Sequence, residues 1–205
     1  MQDFKTIRDL DLKGKTILLR ADLNVPAQRG KVTDTTRIDR LKPTIDYLCE
    51  AGARVLILSH FGRPEGEQNP EMSLAFLTPV LKQCWDRLVR FAPDCVGDAA
   101  RKLSAELKDG EIGLLENVRF HKEETANDKG FAQDLASLGD IYVNDAFSAS
   151  HRAHASTEGI AHLLPSAAGL LMEEELNALN SALEHPKKPV AAIAGGSKIS
   201  TKLDV

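Results

Sequence analysis

The chain has 205 residues, 42% hydrophobic and 27% charged, with a formal net charge of -4. That composition supports a folded core and excludes a disordered or fibrous chain. The mildly acidic balance argues against a nucleic-acid partner, which asks for a basic face, and gives no sign of an anionic membrane partner.

In chain order, residues 16–19 (Thr-Ile-Leu-Leu) read as a buried strand. Residues 38–51 read as a helix with Ile38, Leu41, Ile45 and Leu48 on one face and Gly52 as its stop. Residues 54–58 form the next buried strand. Residues 73–88 predict a helix capped by Ser73, and 88–91 a short strand. A helix over 98–107, a strand over 112–115, a helix over 128–138 stopped by Gly139 and a strand over 141–143 follow. The pattern ends with a helix over 172–183, closed by Pro186, and a last strand over 189–194. Strands that alternate with helices and lack in/out alternation predict an α/β fold. The expected architecture is a three-layer αβα stack around a mainly parallel, Rossmann-like sheet. The internal loop at residues 64–70 is expected to be the most flexible stretch.

Cys49, Cys84 and Cys95 are odd in number and show no metal-ligand spacing, so core thiols in a reducing compartment are expected. The polar start Met1-Gln2-Asp3-Phe4-Lys5 does not read as a secretory signal, and no apolar run approaches the ~20 residues of a membrane span. A cytoplasmic protein is the expectation.

Ligands of open α/β sheets sit beyond the carboxyl ends of the strands. Those positions hold Arg20-Ala21-Asp22-Leu23-Asn24-Val25-Pro26, Ser59-His60-Phe61-Gly62-Arg63-Pro64, Glu116-Asn117-Val118-Arg119-Phe120, Asn144-Asp145-Ala146-Phe147 with Ser150-His151-Arg152, and Gly195-Gly196-Ser197-Lys198 with Lys202. A single arginine after a strand is ordinarily a solvated loop residue. The recurrence at Arg63, Arg119, Arg152 and Lys198, with Arg37 opening the first helix, predicts one cationic rim for a small, doubly anionic ligand. His60 is a candidate donor to it. Asp22 and Asn24 either fix their own turn before Pro26 or orient the arginines and a ligand hydroxyl. Gly195, Gly196, Lys198 and Lys202 read either as a phosphate-facing helix start, although the P-loop spacing is missing, or as a solvated helix start whose glycines permit close packing. His121, His154, His162 and His185 show no metal-ligand pattern and read as structural or solvent-facing; no metal ligand is assigned.

Together these motifs resemble the phosphoglycerate kinase family in order and approximate spacing, over essentially the whole chain. The resemblance implies two α/β domains: an amino-terminal one for 3-phosphoglycerate and a carboxyl-terminal one for Mg-ADP or Mg-ATP. It implies residues 1–185 as the substrate domain, 186–205 as the last strand and the start of the interdomain segment, and the nucleotide domain as absent. On this basis Asp22 and Asn24 would hold the glycerate part. Arg37, His60, Arg63, Arg119 and Arg152 would hold the carboxylate and phosphate ends. Arg37 and Lys202 would be catalytic, and Lys198, Lys202, Gly195 and Gly196 would meet the nucleotide phosphates. The implied activity is glycolytic phosphoryl transfer between 1,3-bisphosphoglycerate and ADP by a monomer, with no turnover expected from this half alone. The stretch Ser148-Ala149-Ser150 departs from the family's Gly-Thr-Ala, a swap among small residues expected to be harmless. Two other functions stand beside this one: a stand-alone anion-binding or regulatory module, and a structural subunit whose arginines merely solvate the rim.

Overall fold

The computed structural model describes residues 4–184 together with Pro186 and Ala191. The chain divides into two compact units, Met1–Glu173 and Glu174–Val205. The first unit carries the sheet.

Its elements run β1 (Thr16–Arg20), β2 (Ala27–Gln28), β3 (Lys31–Val32), α1 (Thr36–Glu50), β4 (Arg54–Leu58), α2 (Thr78–Trp85), β5 (Val89–Ala92), α3 (Gly97–Glu106), β6 (Ile112–Leu115), α4 (Lys122–Thr125), α5 (Lys129–Ala136), β7 (Ile141–Asn144), β8 (Ser166–Ala168) and α6 (Leu170–Leu183). α6 starts in the first unit and runs into the second. Six strands form one sheet in the order β5-β6-β4-β1-β7-β8, and every pairing in it is parallel.

The strands read as uninterrupted apolar runs because both faces are covered. In β1, Ile17 and Leu19 enter one core while Leu18 enters the other. β4 divides in the same way, with Val55 and Ile57 on one side and Leu56 and Leu58 on the other. The first core is closed by Ile38, Leu41, Ile45 and Leu48 of α1 and by Leu81 and Trp85 of α2. The second is closed by Ala100 and Leu103 of α3 and by Phe131 and Leu135 of α5. Truncating one such strand leucine to alanine typically costs about 2–5 kcal/mol, because the packed layer cannot collapse onto the hole.

Several expectations shift. The helix predicted over residues 73–88 is shorter: a 3₁₀ turn, Ala75–Leu77, precedes α2. Pro79 has no N–H to continue an α-helical ladder backwards, and the Ser73 hydroxyl, which donates to Glu116 Oε2 (2.6 Å), accepts the Ala75 amide (3.1 Å) at the head of the 3₁₀ turn instead of an α-helix. Asp86, in the left-handed region at φ 53°, ends α2. Leu88 is exposed and the next strand starts one residue later, at Val89. The β2–β3 hairpin turns on Arg29 and Gly30, both at positive φ, and is not among the elements the sequence pattern predicts. Neither is β8, whose Ser-Ala-Ala carries no apolar run and is recruited by pairing with β7. The strand predicted over 189–194 lies outside the described residues.

Cys49 and Cys95 are buried free thiols and Cys84 is partly buried, as a core role requires. Among the described residues no helix is long and apolar enough to cross a membrane.

Candidate functional site

β1 lies between β4 and β7, and β4 pairs on its other side with β6. Arg20 is in register with Leu58 and with Asn144, and Ile57 with Leu114. Four chain segments therefore leave four neighbouring strands at one edge of the sheet. The connection from β1 leads to β4 on one side, while β7 lies on the other, so this edge is a topological switch point, where open α/β sheets bind ligands.

The guanidinium-bearing residues meet there. Arg63, Arg119 and Arg152 line one cavity of about 580 Å³, with Glu65, Gly66, Thr125 and His154. The backbone of Gly62 ties its wall together. Its N–H donates to Asn24 Oδ1 (3.0 Å), and its carbonyl accepts from Arg119 Nη1 (2.9 Å). Asn117 Nδ2 donates to the carbonyls of Phe61 (2.7 Å) and Met72 (2.9 Å), fixing the chain on either side of the Gly62-Arg63 turn.

The next group along the rim is Asp22, Asn24 and Arg37. Asp22 Oδ1 accepts from the Asn24 amide (3.1 Å), the turn-fixing one of the two roles the sequence leaves open for it. Arg37, in the first turn of α1, donates from Nη1 to Asp22 Oδ2 (2.8 Å) and to the Asn24 carbonyl (3.0 Å). Its side chain keeps half of its exposure, so the guanidinium is anchored on one edge and open on the other.

Positive charge is crowded behind this rim. Burial, and then Arg152 and Arg20, pull Arg119 below the ordinary guanidinium value; Glu124 opposes the shift and Arg63 adds to it. Arg119 Nε is buried with no hydrogen-bond partner among the described residues. Burial, and then the charges of Arg20, Arg119, Arg152 and His154, push the His60 imidazole down to about 2, so the ring is neutral. Burial also lowers His154, against the pull of Glu124. A concave, partly buried site with several cations and an N–H donor that has no partner among the described residues is complementary to an anion carrying more than one negative oxygen.

Seven sequence-predicted residues, Asp22, Asn24, Arg37, His60, Arg63, Arg119 and Arg152, thus lie along one edge of the sheet. Gly195, Gly196, Lys198 and Lys202 lie outside the described residues. His154, set aside as structural, lines the cavity instead. Arg20, Glu124 and Ser156 were not singled out, yet all three are buried beneath the site. Arg20 stands at the end of a strand, a position the rim argument already pointed to. Glu124 had no signal, because a glutamate in a short polar helix reads as solvated. His121 Nε2 sits 2.8 Å from Asp94 Oδ1, near the Cys95 thiol, a grouping that a pair 27 positions apart does not disclose. That carboxylate oxygen already accepts the amides of Cys95 (2.7 Å) and Val96 (3.4 Å).

Fold and rim together define a three-layer, Rossmann-like α/β domain with an anion-complementary cleft at the carboxyl edge of its parallel sheet. The family model "Phosphoglycerate kinase" matches residues 7–205, and the chain belongs to that family. It is 58% identical over 202 residues to a phosphoglycerate kinase of Rhodospirillum centenum, an alignment covering 98% of this chain and 51% of that one. It is also 58% identical over 203 residues to one of Rhizobium meliloti, again covering 98% and 51%. Among solved structures, the phosphoglycerate kinase of Coxiella burnetii superposes with a TM-score of 0.87 at 42% identity, over 98% of this chain and 50% of that one. The Pyrococcus horikoshii enzyme superposes at 0.86 with 35% identity, over 96% and 50%. The chain spans about half the length of the curated relatives it matches.

Proposed function

We propose that this chain is the acid-binding half of a phosphoglycerate kinase. The reaction is reversible phosphoryl transfer between 1,3-bisphosphoglycerate and ADP, giving 3-phosphoglycerate and ATP. The observation that carries this reading is the cavity between Arg63, Arg119 and Arg152, with a buried, unpartnered N–H on Arg119.

The three arginines and His60 bind the phosphate end of 3-phosphoglycerate. Asp22 and Asn24 take the hydroxyl region, and Arg37 faces the carboxylate that gains or loses the phosphoryl group. Phosphoryl transfer passes through a loose transition state that needs alignment and cancellation of charge on the equatorial oxygens. Arg37, pinned by Asp22 and the Asn24 carbonyl, supplies preorganised positive charge at that point. A carboxylate nucleophile has no proton to lose, so the site needs no general base. The nucleotide enters as the magnesium complex of ADP or ATP. Its contacts are assigned to Gly195, Gly196, Lys198, Lys202 and the family's other domain. A cytoplasmic monomer acting in glycolysis goes with this reading.

Calorimetric titration of the chain with 3-phosphoglycerate tests it, together with an ATP-coupled turnover assay. Saturable binding that weakens as salt rises, with negligible turnover by the 205 residues alone, is the expected result. No heat of binding, or equal affinity after Arg119→Ala, would sink it.

A further inference from the structure

We propose that Arg20 is a positioning residue for this site: it holds the His60 ring by Nδ1 and so fixes the imidazole as the neutral tautomer with its proton on Nε2. The inference deepens the function proposed above. It rests on that reading only for the claim that Nε2–H meets the anion.

The geometry leaves one assignment. Arg20 Nη2 lies 3.0 Å from His60 Nδ1. A guanidinium has donors and no acceptor, so the imidazole nitrogen facing it must present a lone pair. A neutral ring then carries its proton on Nε2, and a doubly protonated ring would set one N–H against another. Nε2 has no hydrogen-bond partner among the described residues, which leaves its N–H for a ligand. The charged and titratable groups facing the ring are Arg20, Arg119, Arg152 and His154, and each opposes a further positive charge there.

Arg20 is itself locked in place. It is 1% exposed. Nε donates to Ser156 Oγ (2.9 Å) and Nη1 to the Ala21 carbonyl (2.6 Å), so the guanidinium is held on several edges at once. The Ser156 hydroxyl donates onward to Glu124 Oε1 (2.6 Å), and the Ser156 amide to Oε2 (2.9 Å). Glu124 is fully buried and, among the described residues, reaches Arg20 only through Ser156, and its Oε1 also lies 3.7 Å from His154 Nδ1. Ser156 belongs to a π-helical turn, Ala155–Gly159, a rare geometry that often accompanies functional sites. The polar chain Glu124–Ser156–Arg20–His60 thus runs from the second core to the rim. Its effect is selective: His60 offers a directional donor to an oxyanion without adding a further charge to a crowded cluster, and it cannot accept a hydrogen bond from a ligand hydroxyl.

The test is long-range ¹H–¹⁵N correlation NMR on ¹⁵N-histidine-labelled chain without ligand, from pH 5 to 8, with His60 assigned by loss of its signals in His60→Gln. The expected spectrum shows one neutral Nε2–H tautomer that does not titrate. In Arg20→Lys, which keeps the charge but cannot reach His60, Ser156 and Ala21 together, the ring is expected to titrate or to mix tautomers. Affinity for 3-phosphoglycerate should then fall at least tenfold. If that variant does not fold, Ser156→Ala takes its place with the same readouts. A wild-type His60 that carries Nδ1–H or becomes protonated in this range overturns the proposal. So does a folded Arg20→Lys chain whose His60 spectrum is unchanged. An Nε2–H tautomer in a chain that fails to bind 3-phosphoglycerate would leave the Arg20 assignment standing and remove the proposed function instead.

Discussion

Asp22 accepts Arg37 and the Ser148 hydroxyl on the same carboxylate oxygen, Oδ2. One side chain thereby joins the loop after β1, the first turn of α1 and the 3₁₀ turn after β7 (Phe147–Ala149). The Arg37 end is half exposed, so the pair contributes little to folding; exposed pairs are worth roughly 0–1 kcal/mol. Its consequence lies in where the guanidinium points. Asp22→Asn is expected to leave thermal stability nearly unchanged and to weaken 3-phosphoglycerate binding about tenfold, which is ~1.4 kcal/mol. Ser148→Ala keeps the Arg37 contact and should change affinity by no more than about threefold, or ~0.6 kcal/mol. Calorimetry beside a melting curve separates the two effects.

Burial strains Arg119 first, and the like charges around it add to that strain. Stability and binding should therefore respond differently to its removal. Arg119→Met loses the bond to the Gly62 carbonyl but relieves repulsion from Arg152, Arg20 and Arg63. The unfolding free energy is expected to stay within about 1 kcal/mol of wild type, the ordinary worth of one hydrogen bond. Affinity for 3-phosphoglycerate should fall by more than tenfold, or ~1.4 kcal/mol. The slope of binding against ionic strength should also flatten, because one charge fewer is screened. Urea unfolding and titrations at two salt concentrations check both halves.

Gly62 is at φ +63°, and a Cβ there would lie 2.9 Å from the Met72 Sδ. Both its backbone groups are engaged, with Asn24 and with Arg119. Gly62→Ala is therefore expected to cost about 1–2 kcal/mol from the left-handed backbone alone. It should also lower anion affinity by displacing Arg119. Because the methionine is flexible, Gly62→Ala with Met72→Ala should relieve the clash and leave the backbone term. A double-mutant cycle on stability shows whether the two separate in this way.

The sheet was legible because every central strand is buried on both faces, so 16–19, 54–58 and 112–115 stand out as apolar runs. β8 was not, since Ser166-Ala167-Ala168 has nothing to mark it except the partner it pairs with. In the site, Arg63, Arg119 and Arg152 could be named because each follows a strand end, and topology then brings strand ends together. Glu124 and Ser156 could not. A carboxylate in Lys122–Thr125 looks solvated in sequence, and its burial comes from the way the π-turn folds over it. Likewise His60 is kept neutral first by its burial and then by Arg20, 40 residues away along the chain.

Two buried groups give the folding stability opposed pH dependences. Burial raises the Asp145 carboxyl to about 6 from an ordinary 3.8, against bonds from Thr44 and the amides of Met172 and Leu171. Its folded form holds a proton that the unfolded chain has lost. The stability it contributes is complete below pH 3.8 and disappears as pH rises through 6. His60 works the other way: its folded value is about 2 and its unfolded value 6.5. Its contribution is complete above pH 6.5 and is lost as pH falls toward 2. Near pH 5 each changes stability by up to about 1.4 kcal/mol per pH unit, with opposite sign, so the wild-type slope from this pair nearly cancels. Asp145→Asn should leave the His60 dependence exposed, with stability climbing from pH 4.5 to 6 more steeply than in the wild type. His60→Gln should do the reverse and make stability fall over the same interval relative to wild type. Urea unfolding at three pH values in this window reads both slopes, and parallel curves for the wild type and the two variants would show that neither group titrates as its burial requires.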